Sequence, residues 1–267
     1  MTRMPRIGWS AVRAFAVTLL FASTAHAQQR LVKVTINNVA PTNSVSFAPL
    51  HLGFHSGVFD AFNNGQTAAA GIVSVAEGGV GDVWQADFAA AEPNATRGVI
   101  GMPLFPGQSR SQTFVVNAGL NPFFTFATMV IPSNDLFLGN DNPMRYRMFD
   151  VMGNLLINNI SQSVGQIWDA GSEVADPLNA AFVVGGNNSA RTPQNGVVSF
   201  SASELGVFNG LTTAAGYVFS DSQLNPSTAI YRLDFESTVV PEPSTLLLLS
   251  GGFTVLLMAS RRKRTRS

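Results

Sequence analysis

Two short stretches, PSNDLFLG at 132–139 and WDAGSEVAD at 168–176, hold carboxylates whose surroundings could do chemistry, foremost Asp135, Asp169 and Glu173. Asp135 follows Ser133 and Asn134, Asp169 precedes Ala170 and Gly171, and Glu173 follows Ser172, so each stands beside residues that turn the chain. Calcium takes roughly six to eight hard oxygens at about 2.3–2.6 Å from carboxylates, amides, backbone carbonyls and water. Loops that follow strands supply such groups, and the three charges would repel if brought together without a cation. Asp141 and Asp176 are further candidate ligands. The same residues also suit a purely conformational role, because Asp in a turn hydrogen-bonds its own backbone. Spacing leaves both readings open, and no EF-hand loop is present.

Other chemistries find less support. The chain has no cysteine, which excludes a disulfide framework, a thiol nucleophile and cysteine zinc sites. His51 and His55 in HLGFH would share a helix face, but the glutamate of H-E-x-x-H is missing. The surrounding sequence reads as a strand, in which four residues span about 13 Å, so the pair is not expected to share a zinc ion. No G-x-S-x-G nucleophile elbow occurs. Asp60, Asp87 and Glu92 could be imagined as a glycosidase pair, which needs two carboxyls about 5–10 Å apart. Nothing in the sequence fixes them together, and they read as solvated surface groups. No catalytic residue is assigned, and the chain is not expected to be an enzyme.

The elements that must position these residues read as strands. LVKVTINN (31–38) alternates Leu31, Lys33 and Thr35 against Val32, Val34 and Ile36, and TAIYRLDFES (228–237) alternates Ile230, Arg232 and Asp234 against Tyr231, Leu233 and Phe235. RSQTFVVNA (110–118) ends in β-branched residues. Period two between Asn, Gly and Pro clusters predicts antiparallel strands with one buried face. FFTFATMVIP (123–132) is apolar on both faces and predicts a central strand. The alanine-rich stretch 67–91 has room for a helical turn or two, broken at Gly78-Gly79. GGNNSARTPQNG (185–196) reads as a loop. Trp84 and Trp168 carry rings that could stack on sugars, but core packing is the expected role.

Both ends of the chain carry addresses. Arg3, Arg6 and Arg13 surround and lead into the apolar AFAVTLLFASTA, and Ala25-His26-Ala27 offers a small-residue cleavage site before Gln28, a secretory signal peptide over 1–27. At the other end the apolar run Thr245–Ala259 is interrupted by Ser250, Gly251 and Gly252 and stops at Arg261-Arg262-Lys263-Arg264. It is short against the roughly 20 residues of a stable span, and its basic end marks the cytoplasmic side. Segment 239–267 resembles the PEP-CTERM sorting signal in three features taken in order: Pro241-Glu242-Pro243, a short hydrophobic helix, and an arginine-rich end with Arg261 and Arg262. That resemblance implies recognition and cutting by an exosortase near the Pro-Glu-Pro. It also implies export to the outer surface or extracellular matrix of a Gram-negative bacterium that makes exopolysaccharide, with transient anchoring in the inner membrane through the C-terminal helix.

Between the two addresses, residues 28–240 hold eight basic side chains against fifteen carboxylates, a net charge of −7. A mildly acidic body argues against nucleic acid, whose binding rests on Lys and Arg neutralising phosphates. About 210 residues are enough for one core in one domain, placed at 28–238. This body carries a second resemblance, running from about Val32 to Phe235. SFAPLHLGFHSGVFDAFNNGQTAAAGIVSVAEGG, GMPLFPGQSRSQTF, ATMVIPSNDLFLG and IWDAGSEVAD are similar to the spondin N-terminal domain in its bacterial exported form. The resemblance implies an antiparallel β-sandwich of C2-like type with a calcium site at one end, used for adhesion or matrix contact. Animal members carry disulfide cysteines absent here, and Glu173 stands where their pattern has Asp.

The expectation is therefore an all-β, exported sandwich of spondin type with short helical insertions and a C-terminal hydrophobic helix. Calcium on Asp135, Asp169 and Glu173 would order a surface for exopolysaccharide or another matrix polymer. The alternatives are a carbohydrate-active hydrolase on a β-sandwich and a purely structural matrix protein of a biofilm.

Overall fold

The computed structural model describes residues 29–240. The expected signal peptide, with Ala25 and Ala27, and the expected hydrophobic helix after Pro241-Glu242-Pro243, with Arg261 and Arg262, lie outside the described residues. Twelve strands carry most of the regular structure. In chain order they are β1 (Gln29–Asn38), β2 (Ser46–Phe47), β3 (Leu50–His55), β4 (Thr96–Ile100), β5 (Ser109–Asn117), β6 (Phe123–Ile131), β7 (Leu136–Gly139), β8 (Tyr146–Arg147), β9 (Asn159–Ser163), β10 (Trp168–Asp169), β11 (Ser199–Phe200) and β12 (Ala229–Val239). Two helices, α1 (Ala70–Gly78) and α2 (Asp82–Ala91), separate β3 from β4. Every strand pairing is antiparallel.

The smaller sheet runs β5-β1-β12-β9, and the larger runs β11-β10-β7-β6-β3-β4, with β2 and β8 added on β6. The period-two strands build the smaller sheet. Val32, Val34 and Ile36 of β1 face inward, as do Tyr231, Leu233 and Phe235 of β12, while Lys33 and Glu236 meet at 3.2 Å on the outer face. Ile230 is buried too, because the register shifts between Ala229 and Tyr231 and breaks the alternation there. Leu50, Leu52 and Phe54 of β3 and Phe124 and Phe126 of β6 join the inward residues of β1 and β12 in one hydrophobic cluster. Both sheets therefore share a core, closed by aromatic contacts such as Phe124 against Phe235 at 5.1 Å.

β6 sits between β3 and β7, and from Phe124 onward all of it is buried. Its apolar character on both faces has a plain cause: the second face of the larger sheet is covered by the helices. Ile72 and Val75 of α1 and Trp84 and Phe88 of α2 pack with Ala127, Phe137 and Trp168. Gly79, with φ +65°, ends α1 in the left-handed conformation, which glycine adopts at no steric cost. Phe88 lies so close on β3 that a Cβ on Gly53 would sit 2.3 Å from its ring. Trp84 and Trp168 are packed in this layer, 1% and 3% exposed. The stretch 185–196 forms no strand, and an Arg191–Glu77 ion pair ties it to α1. Among the described residues no helix is long and apolar enough to cross a membrane.

Candidate functional site

β6 and β7 are joined by the tight link Pro132-Ser133-Asn134-Asp135. Ser133 fixes its shape, its hydroxyl donating to the Val130 carbonyl at 2.5 Å and accepting from the Leu136 amide at 3.2 Å. That turns Asp135 into the interior, where it is fully buried. Its Oδ2 accepts the Ser172 amide at 2.7 Å, the Ser172 hydroxyl at 3.1 Å and the Glu173 amide at 3.0 Å. Asp169 reaches the same place from β10, which pairs with β7, and its Oδ1 accepts the Gly171 amide at 2.7 Å. The turn that follows demands glycine: Gly171 has φ +64°, and a Cβ there would meet the Val197 amide nitrogen at 2.6 Å.

Asn134 links the remaining pieces. Its side-chain amide donates to Glu173 Oε1 at 3.2 Å and to the Asp176 carbonyl at 3.2 Å, and its Oδ1 accepts the Asp176 amide at 2.9 Å. Its own backbone amide donates to Glu204 Oε1 at 3.0 Å. Glu204 comes from a 3-10 turn at Ser203–Phe208 and is buried.

The electrostatics of this group are one-sided. Burial pushes the Asp135 carboxyl up, with the Asp169 charge adding to it, and burial likewise raises Asp169. Glu173 is raised by burial first and then by Asp135 and Asp176. Glu204 is pushed up to about 8 by burial and by the charges of Asp135 and Asp169. The ion pairs found among the described residues lie elsewhere, at Lys33–Glu236, Arg191–Glu77 and Arg232–Asp234. Four carboxyl groups thus lean on one another without a basic partner among those pairs.

The fit to a cation is mixed. Asp135 Oδ1 and Glu173 Oε2 are buried and accept no hydrogen bond, an arrangement that costs free energy unless something compensates. As they stand, however, no three His, Asp or Glu side chains among the described residues converge in a metal-holding group. Asp135 Oδ2 is already saturated by three donors, so an ion here would use the orphaned oxygens and would require the side chains to move.

Of the residues singled out by sequence, Asp135, Asp169 and Glu173 belong to one hydrogen-bonded and Coulombic group. Asp176 joins it through its backbone, while its carboxylate accepts the Leu178 amide at 2.9 Å. Asp141 is not part of that group. It lines a separate cleft with Arg145, Gln162, Gln166, Trp168 and Phe200. There the exposed Phe200 ring stacks on Trp168 at 3.6 Å. Glu204 was not anticipated, and nothing in SASELGVF marks it.

The other polar candidates have partners of their own. His51 bonds the Gly79 carbonyl at 3.2 Å, and His55 bonds Thr125 at 2.9 Å and accepts the Gly57 amide at 3.1 Å. Burial lowers both histidines. Glu92 is not a solvated surface group: it is buried and accepts from the Ser56 hydroxyl at 2.7 Å and the Val58 amide at 2.6 Å. Asp60 and Asp87 are exposed and line a common cavity of about 380 Å³ beside Phe59, Ile72 and Trp84. That shared cavity was invisible in the sequence.

A family model described as the PEP-CTERM protein-sorting motif matches residues 239–264. This chain is an exported protein, sorted through the exosortase system to the cell surface or the extracellular space. The match covers the tail alone, and no family match supports the resemblance of the body to the spondin N-terminal domain. No curated protein matches the chain.

Proposed function

We propose that the exported body is a spondin-type, C2-like adhesion module without catalytic activity, whose acid cluster is ordered by calcium. The observation that carries this reading is the group of buried Asp135, Glu173 and Glu204 with half-buried Asp169, in which two carboxylate oxygens are orphaned. Hard carboxylate oxygens are the donors calcium takes, and the ion would supply a positive charge that the ion pairs found among the described residues do not bring to the cluster. Asp135, Asp169 and Glu173 would hold it, with Glu204 behind them. Calcium would then fix the 169–176 segment, and with it Trp168 on the neighbouring cleft. That cleft offers Arg145, Asp141 and amide groups beside an exposed ring, a chemistry suited to the hydroxyls and apolar face of a polysaccharide. The matrix partner is accordingly an exopolysaccharide or similar polymer, met outside a Gram-negative cell after release from the inner membrane.

The test is a thermal melt in EDTA followed by a calcium titration. Calcium at about 100 times its Kd should add roughly 2.7 kcal/mol, which for about 210 residues raises Tm by roughly 5–10 °C. The rise should saturate and be lost in Asp169→Ala. An unchanged Tm at millimolar calcium would return these carboxylates to a conformational role.

A further inference from the structure

The sorting motif begins at Val239, and Val239 is still strand. β12 pairs with β1 through Leu31↔Thr238 and Arg30↔Val239, and the Val240 amide donates to the Gln29 carbonyl at 3.0 Å. No spacer therefore separates the folded sheet from Pro241.

The other side of β12 is occupied only in part. β9 pairs with it from Ala229 to Asp234, and the Phe235 amide donates to the Asn158 carbonyl at 2.9 Å. Peptide groups alternate sides along an antiparallel strand. Val240 points at β1 and Phe235 points away from it, so Ser237 and Val239 also point away. The β9 ladder ends at Asp234, and among the described residues no loop carbonyl beyond it takes either of their amides. Thr238 and Val239 are exposed and Ser237 is half-buried. Among the described residues this leaves a short edge of an inner strand without a strand partner, continuous with the sorting motif. Proteins cover or blunt such edges because they are templates for strand addition.

We infer that this edge, Ser237 to Val240, is part of what the exosortase reads. The enzyme adds an extended segment of its own along β12, through the outward peptide groups of Ser237 and Val239, and so positions the Pro-Glu-Pro that follows. Strand addition takes its affinity from main-chain hydrogen bonds, so β12 can stay paired with β1 while it is read. This inference rests on the sorting motif and is independent of the calcium reading.

The test follows processing of the full-length precursor in an exosortase-bearing host, scored by intact mass in a pulse-chase. Val239→Pro removes an outward amide and leaves the β1 ladder intact, since proline is tolerated where the missing N–H faces an edge. Processing should slow several-fold, up to about tenfold for the loss of one main-chain hydrogen bond, with an unchanged melt of the folded body. Thr238→Ala changes only a side chain and should be processed at the wild-type rate. A second variant covers the case in which Val239→Pro folds poorly: an eight-residue Gly-Ser insertion between Val240 and Pro241 detaches the motif from the edge. If the edge is read with the motif, the insertion slows processing. Processing of the insertion variant at the wild-type rate or faster would overturn the inference, as would normal processing of a folded Val239→Pro protein.

Discussion

In EDTA the protein is expected to lose stability as pH rises from 4.5 to 8, by roughly 4 kcal/mol through Glu204 alone, and Glu204→Gln should abolish that loss. Glu204 is pushed up to about 8 from an ordinary value of 4.5, by burial first and then by Asp135 and Asp169. A carboxyl raised on folding binds its proton more tightly in the folded chain. Its contribution is fully present below the unfolded value and fades as pH climbs to the folded one. Asp135, Asp169 and Glu173 are raised in the same direction and steepen the slope. Glutamine keeps an oxygen for the Asn134 amide without the charge, so the variant should melt higher than wild type at pH 8 and alike at pH 4.5. Saturating calcium should flatten the wild-type slope, because the ion favours the ionised forms. A wild-type melting temperature that stays level or rises across this range in EDTA would remove the electrostatic basis of the site.

The contrast between Glu204 and its companions shows what the sequence could reveal. β1, β6 and β12 were legible because burial imposes a period on them: one face inward for β1 and β12, both faces covered for β6. The helix break at Gly78-Gly79 was legible because glycine is a local signal. The two-residue strands β2, β8, β10 and β11 were not, since each exists only through the partner it pairs with. Asp135, Asp169 and Glu173 could be picked out by the turn residues around them. Glu204 comes from a 3-10 turn far along the chain and meets the group through the amide of Asn134, a contact that no spacing encodes. Glu92 was misjudged for a related reason. Its character as a buried acceptor depends on the 56–59 loop folding back over the end of α2, which only the tertiary fold brings about.

Glu92→Ala should cost about 4 kcal/mol and lower Tm by roughly 8–16 °C, the largest loss expected from any single carboxylate removed. Besides Ser56 and Val58, its oxygens accept the Ser56 amide at 3.3 Å and the Phe59 amide at 3.2 Å, so one side chain holds four donors of a single loop. That loop carries Phe59, which stacks on Phe88 at 4.0 Å and seals α2 against the sheet. Truncation strands the buried Phe59 amide and three partly buried donors and loosens this aromatic contact together. Glu92→Gln retains one acceptor and should cost about half as much. The pH response has the opposite sign to that of Glu204. Burial opposes ionisation of Glu92, but the Ser56 hydroxyl and the Val58, Ser56 and Phe59 amides outweigh it and hold the carboxyl below its ordinary 4.5. Its stabilisation is present above pH 4.5 and is lost as pH falls through the folded value. Wild type should therefore destabilise on acidification below pH 4.5 while Glu92→Ala does so less steeply. The two glutamates bracket the pH of greatest stability from opposite sides: Glu92 sets the acid limit at the helix layer, and Glu204 the alkaline limit at the acid cluster. A Glu92→Ala melt that parallels wild type below pH 4.5 would mean that solvent, rather than this carboxylate, satisfies the loop.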